Sequence, residues 1–172
     1  MNINEMRHRI KVGKVGLIVL LMLALVGCAT LQEKAERREL VKKAVAEAVA
    51  KRRMHIDIMS MNTMRYGART VTSDFFLELH GDSLRSYLPY LGQAYQAPMM
   101  SPGQGLDFDE PVLNIKESRP KAGLSQLDID VRTREDRYQY SIELYETGRA
   151  YIHVQSQHRD PISFDGEMVM AE

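Results

Sequence analysis

Three tyrosines that lie close together in the chain are the side chains best suited to recognising a ligand. Tyr87, Tyr90 and Tyr95 occur in a stretch that proline and glycine interrupt repeatedly. A tyrosine ring offers a large rigid face and a hydroxyl group at low entropic cost, which suits it to binding surfaces. The alternative is that these rings pack beneath a loop and hold it against a sheet. We take the three tyrosines as candidate binding residues.

The segment around and after these tyrosines predicts a long loop. Between Leu91 and Pro111 the sequence is rich in glycine and proline and shows little alternation of apolar and polar residues. Long loops are uncommon inside compact domains and often carry function. The acids Asp107, Asp109 and Glu110 lie in this segment, and oxygen-rich loops can hold calcium. No EF-hand pattern surrounds them, so a solvated turn is the simpler interpretation.

Side chains that commonly bind metals are scattered along the sequence. The histidines beyond the N-terminal segment lack the spacing of a zinc motif, and we expect them to be exposed. These are His55, His80, His153 and His158. Met59, Met61 and Met64 are of a type that binds monovalent copper, but core packing is the simpler interpretation because no repeated methionine motif surrounds them. The sequence therefore predicts no metal and no cofactor.

Residue patterns that indicate catalysis are not recognisable either. No serine occupies a strand-turn-helix elbow of the kind that nucleophilic hydrolases use. Gly103-Gln104-Gly105 precedes a predicted strand and not a helix, so it lacks the helix N-terminus whose N–H groups bind a phosphate. Asp128 and Asp130 share one face of a predicted strand, and we expect them to be exposed to solvent, since a glycosidase needs two carboxylates facing each other across a cleft. No catalytic residue is predicted.

The first part of the chain has the three zones of an export signal. Basic residues precede an apolar run from Val15 to Val26, and Gly27 and Cys28 follow. As a helix this run spans about 18 Å, and its 12 residues are fewer than the roughly 20 that a stable membrane span needs. We therefore predict that residues 1–27 form a signal peptide that is removed.

The cysteine gives this signal a more specific meaning. Leu25-Val26-Gly27-Cys28 resembles the lipobox of bacterial lipoproteins. The resemblance implies a diacylglycerol thioether on Cys28 and, in most such bacteria, a further acyl chain such as palmitate on its amino group. Several acyl chains anchor a protein stably, whereas one does so only marginally. The alternative is a free or buried cysteine after an ordinary secretory cut. Because Cys28 is the only cysteine, the chain forms no internal disulfide.

The part of the chain after residue 27 is long enough to bury a core of its own. The whole sequence has a formal net charge of +0, and removal of the basic signal leaves the remainder slightly acidic. Nucleic acids are bound by clustered basic surfaces. A nucleic-acid partner is therefore not expected.

Residues 31–53 predict an amphipathic helix. They contain no glycine or proline, and acid-to-base pairs such as Glu47 and Lys51 lie four residues apart, which stabilises a helix surface. Val41, Val45 and Val49 belong to a narrow aliphatic stripe at helical spacing. We expect the stripe to pack on a sheet. A solvated stalk and a partner-binding helix are the alternatives.

Beyond the helix the sequence pattern changes to alternation, which indicates strands. Polar turns separate the alternating runs, and Gly81-Asp82 is a hairpin signal. The pattern predicts a mainly β (α+β) fold, in which an N-terminal amphipathic helix precedes an antiparallel β meander that forms a sandwich or a partial barrel. The expected division of the chain is a lipoprotein signal peptide over 1–27, a lipidated N-terminus and helix over 28–53, and the β domain over 54–172.

Three stretches of this sequence resemble a known family. They are Ser86-Tyr87-Leu88-Pro89-Tyr90-Leu91-Gly92-Gln93-Ala94-Tyr95, Gly105-Leu106-Asp107-Phe108 and Pro161-Ile162-Ser163-Phe164-Asp165-Gly166. The chain resembles, from about Met54 to Gly166, uncharacterised Bacteroidetes lipoproteins that carry the domain of unknown function 4251. The resemblance implies a Gram-negative envelope protein with an N-terminal helix and an antiparallel sheet, and it implies no activity. Ala29 after the cysteine favours the periplasmic face of the outer membrane under the enterobacterial sorting rule.

Taken together, these patterns favour a lipid-anchored envelope protein with a non-catalytic binding module. The expected partners are the membrane, through lipid on Cys28, and a protein or a small apolar ligand in the region from Tyr87 to Pro111. One alternative is a periplasmic hydrolase acting on glycan or cell-wall material, with Asp107 or Asp109 as a catalytic acid. The other is a purely structural envelope module.

Overall fold

The alternating sequence forms a series of antiparallel strands. The computed structural model describes residues 32–72, 74–93 and 105–170, and in these ranges it contains nine strands. They are β1 (Arg53–Thr63), β2 (Gly67–Thr70), β3 (Phe76–His80), β4 (Ser83–Leu88), β5 (Leu106–Lys121), β6 (Leu124–Arg132), β7 (Arg137–Tyr145), β8 (Arg149–Ser156) and β9 (Ile162–Met168).

The strands form a closed barrel. Each strand from β3 to β9 pairs with the next, and β1 pairs with both β3 and β9, so eight strands close on themselves. The short strand β2 pairs with the second half of β1 and lies outside this ring. The predicted mainly β fold is confirmed. The pairing of β1 with β9 makes the barrel complete, which alternation alone did not distinguish from a sandwich.

The predicted helix, α1, includes residues 32–51. The chain divides into two compact units between Leu40 and Val41. In the first unit the described residues, 32–40, are helical and exposed, whereas helical residues 41–51 belong to the same unit as the strands. No helix in the described ranges is long and apolar enough to cross a membrane.

The aliphatic stripe of the helix packs into the core, as predicted. Val45 and Val49 are buried and belong to the same hydrophobic cluster as the strand residues, and Val41 packs against that cluster. The helix ends where Arg52 adopts a positive φ of 50° and its N–H donates to the Val49 carbonyl over 3.1 Å. The next residue, Arg53, begins β1.

Side chains fill the interior of the barrel. Every second residue along most strands points inward, and small barrels are commonly packed in this way. The largest fully buried side chains are Tyr140, Phe164, Ile56, Leu77, Leu79, Leu84, Leu88, Leu106, Leu127, Ile129, Ile142 and Leu144. The interior is therefore a packed core.

One polar cluster lies within this core. Ser86 Oγ donates to the Leu106 carbonyl over 2.8 Å and lies 3.0 Å from the Tyr140 hydroxyl. Burial raises the pKa of Tyr140, and it raises the pKa of Tyr138 to about 12. Both rings stay neutral at ordinary pH, because the interior disfavours the charged form.

A β-bulge interrupts β1 among the three methionines that were expected to pack in the core. Ile58 pairs with Gly166 and Ser60 pairs with Asp165, so Met59 is an extra residue without a partner on β9. A bulge reverses the alternation after it. Met61 therefore packs against the core, whereas Met59 is 57% exposed at the bulge and Met64 lies exposed in the turn that follows β1. Core packing was the wrong prediction for Met59 and Met64.

The long loop predicted from Leu91 to Pro111 lies largely outside the described residues, and its last part is a strand. Strand β5 begins at Leu106 and pairs with β4 through Pro111, which lies opposite Ser83. The acids Asp107 and Asp109 are therefore strand residues and not members of a solvated turn. Two register shifts interrupt the pairing of β5 with β6.

Candidate functional site

Tyr87 lies on the outer face of the barrel. Alternation along β4 turns Ser86 and Leu88 inward and leaves Tyr87 40% exposed. Its ring centroid is 5.1 Å from that of Phe75 and 5.8 Å from that of Phe76. These separations are typical of aromatic pairs that stabilise each other.

Two further side chains extend this group of rings. The imidazole of His55 stacks on Phe76 with 4.9 Å between ring centroids, and its Nε2 lies 3.1 Å from Asp57 Oδ1. The guanidinium carbon of Arg85 lies 5.2 Å from the centre of the Phe76 ring. We call the group formed by His55, Phe75, Phe76, Arg85 and Tyr87 the aromatic surface.

Strand register explains why these residues meet. Phe76 is opposite Asp57 on β1 and opposite Tyr87 on β4, and directly paired residues project from the same face of a sheet. The adjacent row on that face places Glu78 between His55 and Arg85. Residues far apart in the sequence are thereby brought to one patch, which a search for local motifs would miss.

A recess opens beside the aromatic surface. It has a volume of about 560 Å³ and lies between the C-terminal half of the helix and strands β1, β3 and β9. Ala44, Ala48, Met54 and Met168 supply apolar lining, and His55 belongs to both the recess and the aromatic surface. We call this recess the helix groove. Through His55, the groove and the rings form one continuous region.

Tyr90 occupies a different part of the molecule. Its hydroxyl donates to the carbonyls of Gln93 and Asp160 over 3.0 and 3.2 Å, and the Arg159 guanidinium carbon lies 5.2 Å from its ring centre. Arg159 is itself buried, with one nitrogen 3.5 Å from the Glu135 carboxylate. These contacts tie the chain after β4 to the turn before β9, so Tyr90 has a structural role in this arrangement.

Asp136 follows Glu135 in the chain, and its carboxylate connects the turns between strands. It accepts hydrogen bonds from Ser156 Oγ over 2.6 Å and from the backbone N–H groups of Arg137, Gln157 and His158. Burial alone would raise the pKa of Asp136, but these hydrogen bonds outweigh it and hold the pKa below its ordinary value. Asp136 is therefore a charged anchor for the turns.

The structure does not bring Tyr87 and Tyr90 together. Tyr87 faces outward from a strand, whereas Tyr90 lies beyond the end of that strand. Tyr95 and Cys28 lie outside the described residues. The binding role of the three tyrosines and the lipid on Cys28 remain predictions.

The other sequence candidates are dispersed. His55, His153 and His158 are half-buried, contrary to the expected exposure, because each has a hydrogen-bonding side chain beside it. Asp107 and Asp109 project from the outer face of β5. In residues 32–72, 74–93 and 105–170, no group of three histidine, cysteine or acidic side chains could hold a metal ion.

The sequence and the fold place the chain in one family. A family model described as Domain of unknown function (DUF4251) matches residues 36–168, which include most of the helix and strands β1 to β9. The chain belongs to this family, as its resemblance indicated. No curated protein matches the chain.

A solved structure has a similar fold. The crystal structure of a DUF4251 family protein from Bacteroides eggerthii DSM 20697 superposes with a TM-score of 0.59 and 16% sequence identity. The alignment covers 76% of this chain and 88% of that chain. At this level of sequence identity, the structural likeness shows the fold alone.

Proposed function

We propose that the protein is a lipid-anchored component of the cell envelope and that its barrel is a non-catalytic binding module for a protein partner. The basic, apolar and small-residue zones of residues 1–27, followed by Cys28, support the anchor. The periplasmic face of the outer membrane is the proposed location. The aromatic surface around Tyr87 is the proposed binding region.

The observation that carries this proposal is the exposed ring of Tyr87 within a cluster of aromatic and cationic side chains. Tyrosine and arginine are enriched among the residues that dominate binding energy at protein interfaces. Tyr87 and Arg85 both contact Phe76, so the cluster is ordered before a partner arrives. An ordered surface loses less side-chain entropy on binding.

The helix groove adds a recess to this otherwise open strand surface. Interfaces are strongest where a side chain of one partner fills a pocket of the other. The groove has an apolar lining of alanine and methionine, and methionine adapts to differently shaped side chains. A protein partner with an apolar anchor is favoured over a small apolar ligand inside the barrel, because side chains fill that interior.

A photo-crosslinking experiment tests the binding region. A photoreactive phenylalanine analogue replaces Tyr87 in the full chain, produced in the envelope of its host. The control carries the same analogue at Tyr145, a tyrosine on the outer side of β7 that lies outside the aromatic surface. We expect one discrete product from position 87 and none from position 145.

The captured partner is then purified and its affinity is measured. Tyr87→Ala should weaken binding by about 30-fold, the effect of losing one dominant interface residue of about 2 kcal/mol. Tyr145→Ala should leave affinity unchanged. Equal losses from both substitutions, or products from both positions, would contradict the proposal.

The hydrolase alternative has weaker support. Asp107 and Asp109 are opposite Tyr87 and Arg85 on an exposed sheet face, and Asp109 accepts a hydrogen bond from Ser83 Oγ over 2.9 Å. A hydrolase of glycans requires its carboxylates to flank a bound sugar. For the structural alternative, the burial of Val45 and Val49 leaves less of the helix available to a scaffold.

A further inference from the structure

We propose that the outer face of strands β5 to β8 is a separate binding site for a neutral saccharide. The site is a groove with a volume of about 300 Å³, and most of the residues that line it are polar or charged. This volume is at the lower end of the range for small-molecule sites. The groove lies on strands other than those that form the aromatic surface, and the proposal is independent of the protein-binding function above.

Strand register assembles the groove from two parallel rows of polar side chains. In the first row, Lys116 pairs with Asp128, Asp128 pairs with Ser141, and Ser141 pairs with His153. In the second row, Asn114 pairs with Asp130, Asp130 pairs with Gln139, and Gln139 pairs with Gln155. Neighbouring strands lie about 4.8 Å apart and alternate residues on one strand about 7 Å apart. The result is a grid of hydrogen-bonding groups.

Hydrogen bonds between neighbours hold the first row in place. Asp128 Oδ1 accepts from Ser141 Oγ over 2.8 Å and from Gln126 Nε2 over 3.1 Å. His153 Nδ1 lies 2.9 Å from Ser163 Oγ, and its Nε2 lies 3.3 Å from Gln155 Nε2. Side chains fixed before binding lose little entropy when a ligand arrives.

The charges of the groove favour a ligand without net charge. Two carboxylates in the lining, Asp128 and Asp130, are offset by Lys116 in the lining and by Arg137 beside it, whose guanidinium lies 3.7 Å from the Asp130 carboxylate. An anion would meet the carboxylates, and a cation would meet the lysine and the arginine. Neither sign of charge is preferred.

The mixture of donors and acceptors favours hydroxyl groups. Carboxylates only accept hydrogen bonds and lysine only donates them, whereas the amides of Asn114, Gln139 and Gln155 do both. A sugar hydroxyl also donates and accepts, so adjacent hydroxyls on a ring can use unlike neighbours on the grid. This match of chemistry points to a saccharide.

Ligand-observed saturation-transfer NMR on the full chain tests the site. The chain is purified in a detergent without a sugar headgroup and mixed in turn with neutral disaccharides of glucose, mannose and N-acetylglucosamine. We expect saturation transfer to at least one of them, with a dissociation constant of about 1 mM or tighter. A uronic-acid disaccharide, which carries a negative charge, should not bind more tightly than the neutral disaccharide that binds.

Two substitutions locate the site. Asp128→Asn keeps the shape of the side chain, and Gln155→Ala shortens an exposed one, so neither should prevent folding. Each should weaken binding about tenfold, as expected when a hydrogen bond to a polar ligand is lost. Glu167→Gln, on the exposed face of β9 and outside the groove, is the control and should bind normally.

Three results would overturn the proposal. The first is the absence of saturation transfer to all the neutral disaccharides. The second is binding that survives both groove substitutions, because the saccharide would then be elsewhere. The third is binding of the charged disaccharide alone, since that would contradict the balanced charge of the groove.

Discussion

Asp136 shows how a single buried carboxylate can fix several turns at once. The residue is only 7% exposed, and its carboxylate is surrounded by backbone N–H groups and by the Ser156 hydroxyl. A buried charge is tolerated when hydrogen bonds replace its lost hydration. The charge on Asp136 therefore contributes stability only while the carboxyl group is ionised.

Asp136→Asn should lower the free energy of unfolding by about 2 kcal/mol at neutral pH, since an amide satisfies fewer of these donors. The folded-state pKa is depressed below the ordinary value of 3.8. The contribution is therefore fully present above pH 3.8 and is lost as the pH falls through the folded-state pKa. Urea unfolding at a series of pH values should show the two proteins converging in acid.

A surface carboxylate provides the control for that experiment. Asp82 is largely exposed and pairs with Arg52 over 3.2 Å. Exposed ion pairs contribute little to stability, so Asp82→Asn should resemble the wild type at every pH. A constant difference between Asp136→Asn and the wild type down to the lowest pH would contradict the role assigned to the charge.

The residues of the candidate site could be predicted only in part. Tyr87 could be identified from the sequence because it is a tyrosine, a residue that often lies at binding surfaces, and because it lies in a stretch that also carries the family resemblance. The separation of Tyr87 from Tyr90 could not be predicted, because it depends on β4 continuing through Leu88. Phe76, His55 and Arg85 join Tyr87 through pairing across three strands, and a single sequence gives no register between strands.

Among the secondary-structure elements, the helix changes most in burial along its length. Val49 is 1% exposed, whereas Leu40 is 68% exposed. Removing buried carbon atoms costs both their transfer free energy and that of the cavity left behind. The position of an aliphatic residue on the helix should therefore matter more than its size.

Val49→Ala should lower the free energy of unfolding by about 2 kcal/mol. Leu40→Ala, which removes more carbon atoms from an exposed position, should change it by less than about 0.5 kcal/mol. Denaturation followed by circular dichroism measures both. A larger effect from Leu40→Ala would show that the exposed turn of the helix stabilises the fold.

The elements that were hard to predict have identifiable reasons. Proline at positions 111 and 120 and two register shifts obscure the alternation of β5. The bulge at Met59 reverses the alternation within β1. Strands without such interruptions, such as β7 and β8, were recognisable because their buried residues alternate strictly.

At the scale of the whole molecule, closure of the barrel depends on one glycine. Gly166 pairs with Ile58 on β1 and with Ala150 on β8. A Cβ atom at this position would collide with the Asp57 carbonyl oxygen and would lie 2.9 Å from the Cγ2 atom of Ile56. A larger residue would therefore force β1 and β9 apart.

Gly166→Ala should lower the free energy of unfolding by about 2 to 3 kcal/mol, as overpacking of a filled interior does. Gly67→Ala is the matched control. Gly67 has a φ of 68° and open space around it, so alanine there should cost only about 1 kcal/mol of backbone strain. Thermal unfolding compares the two, and an equal loss would contradict a steric role for Gly166.

Closure between the first and last strands of the barrel also sets an order of events in time. Ser60 Oγ donates a hydrogen bond to Asp165 across 105 residues of sequence. β1 precedes β9 in the chain, and until β9 is available to pair, one edge of β1 offers its backbone groups to any neighbouring chain. Contacts of such long range form slowly. A chain in which β9 has not yet paired is therefore prone to aggregate through β1, and a chaperone that shields β1 would protect it during that interval.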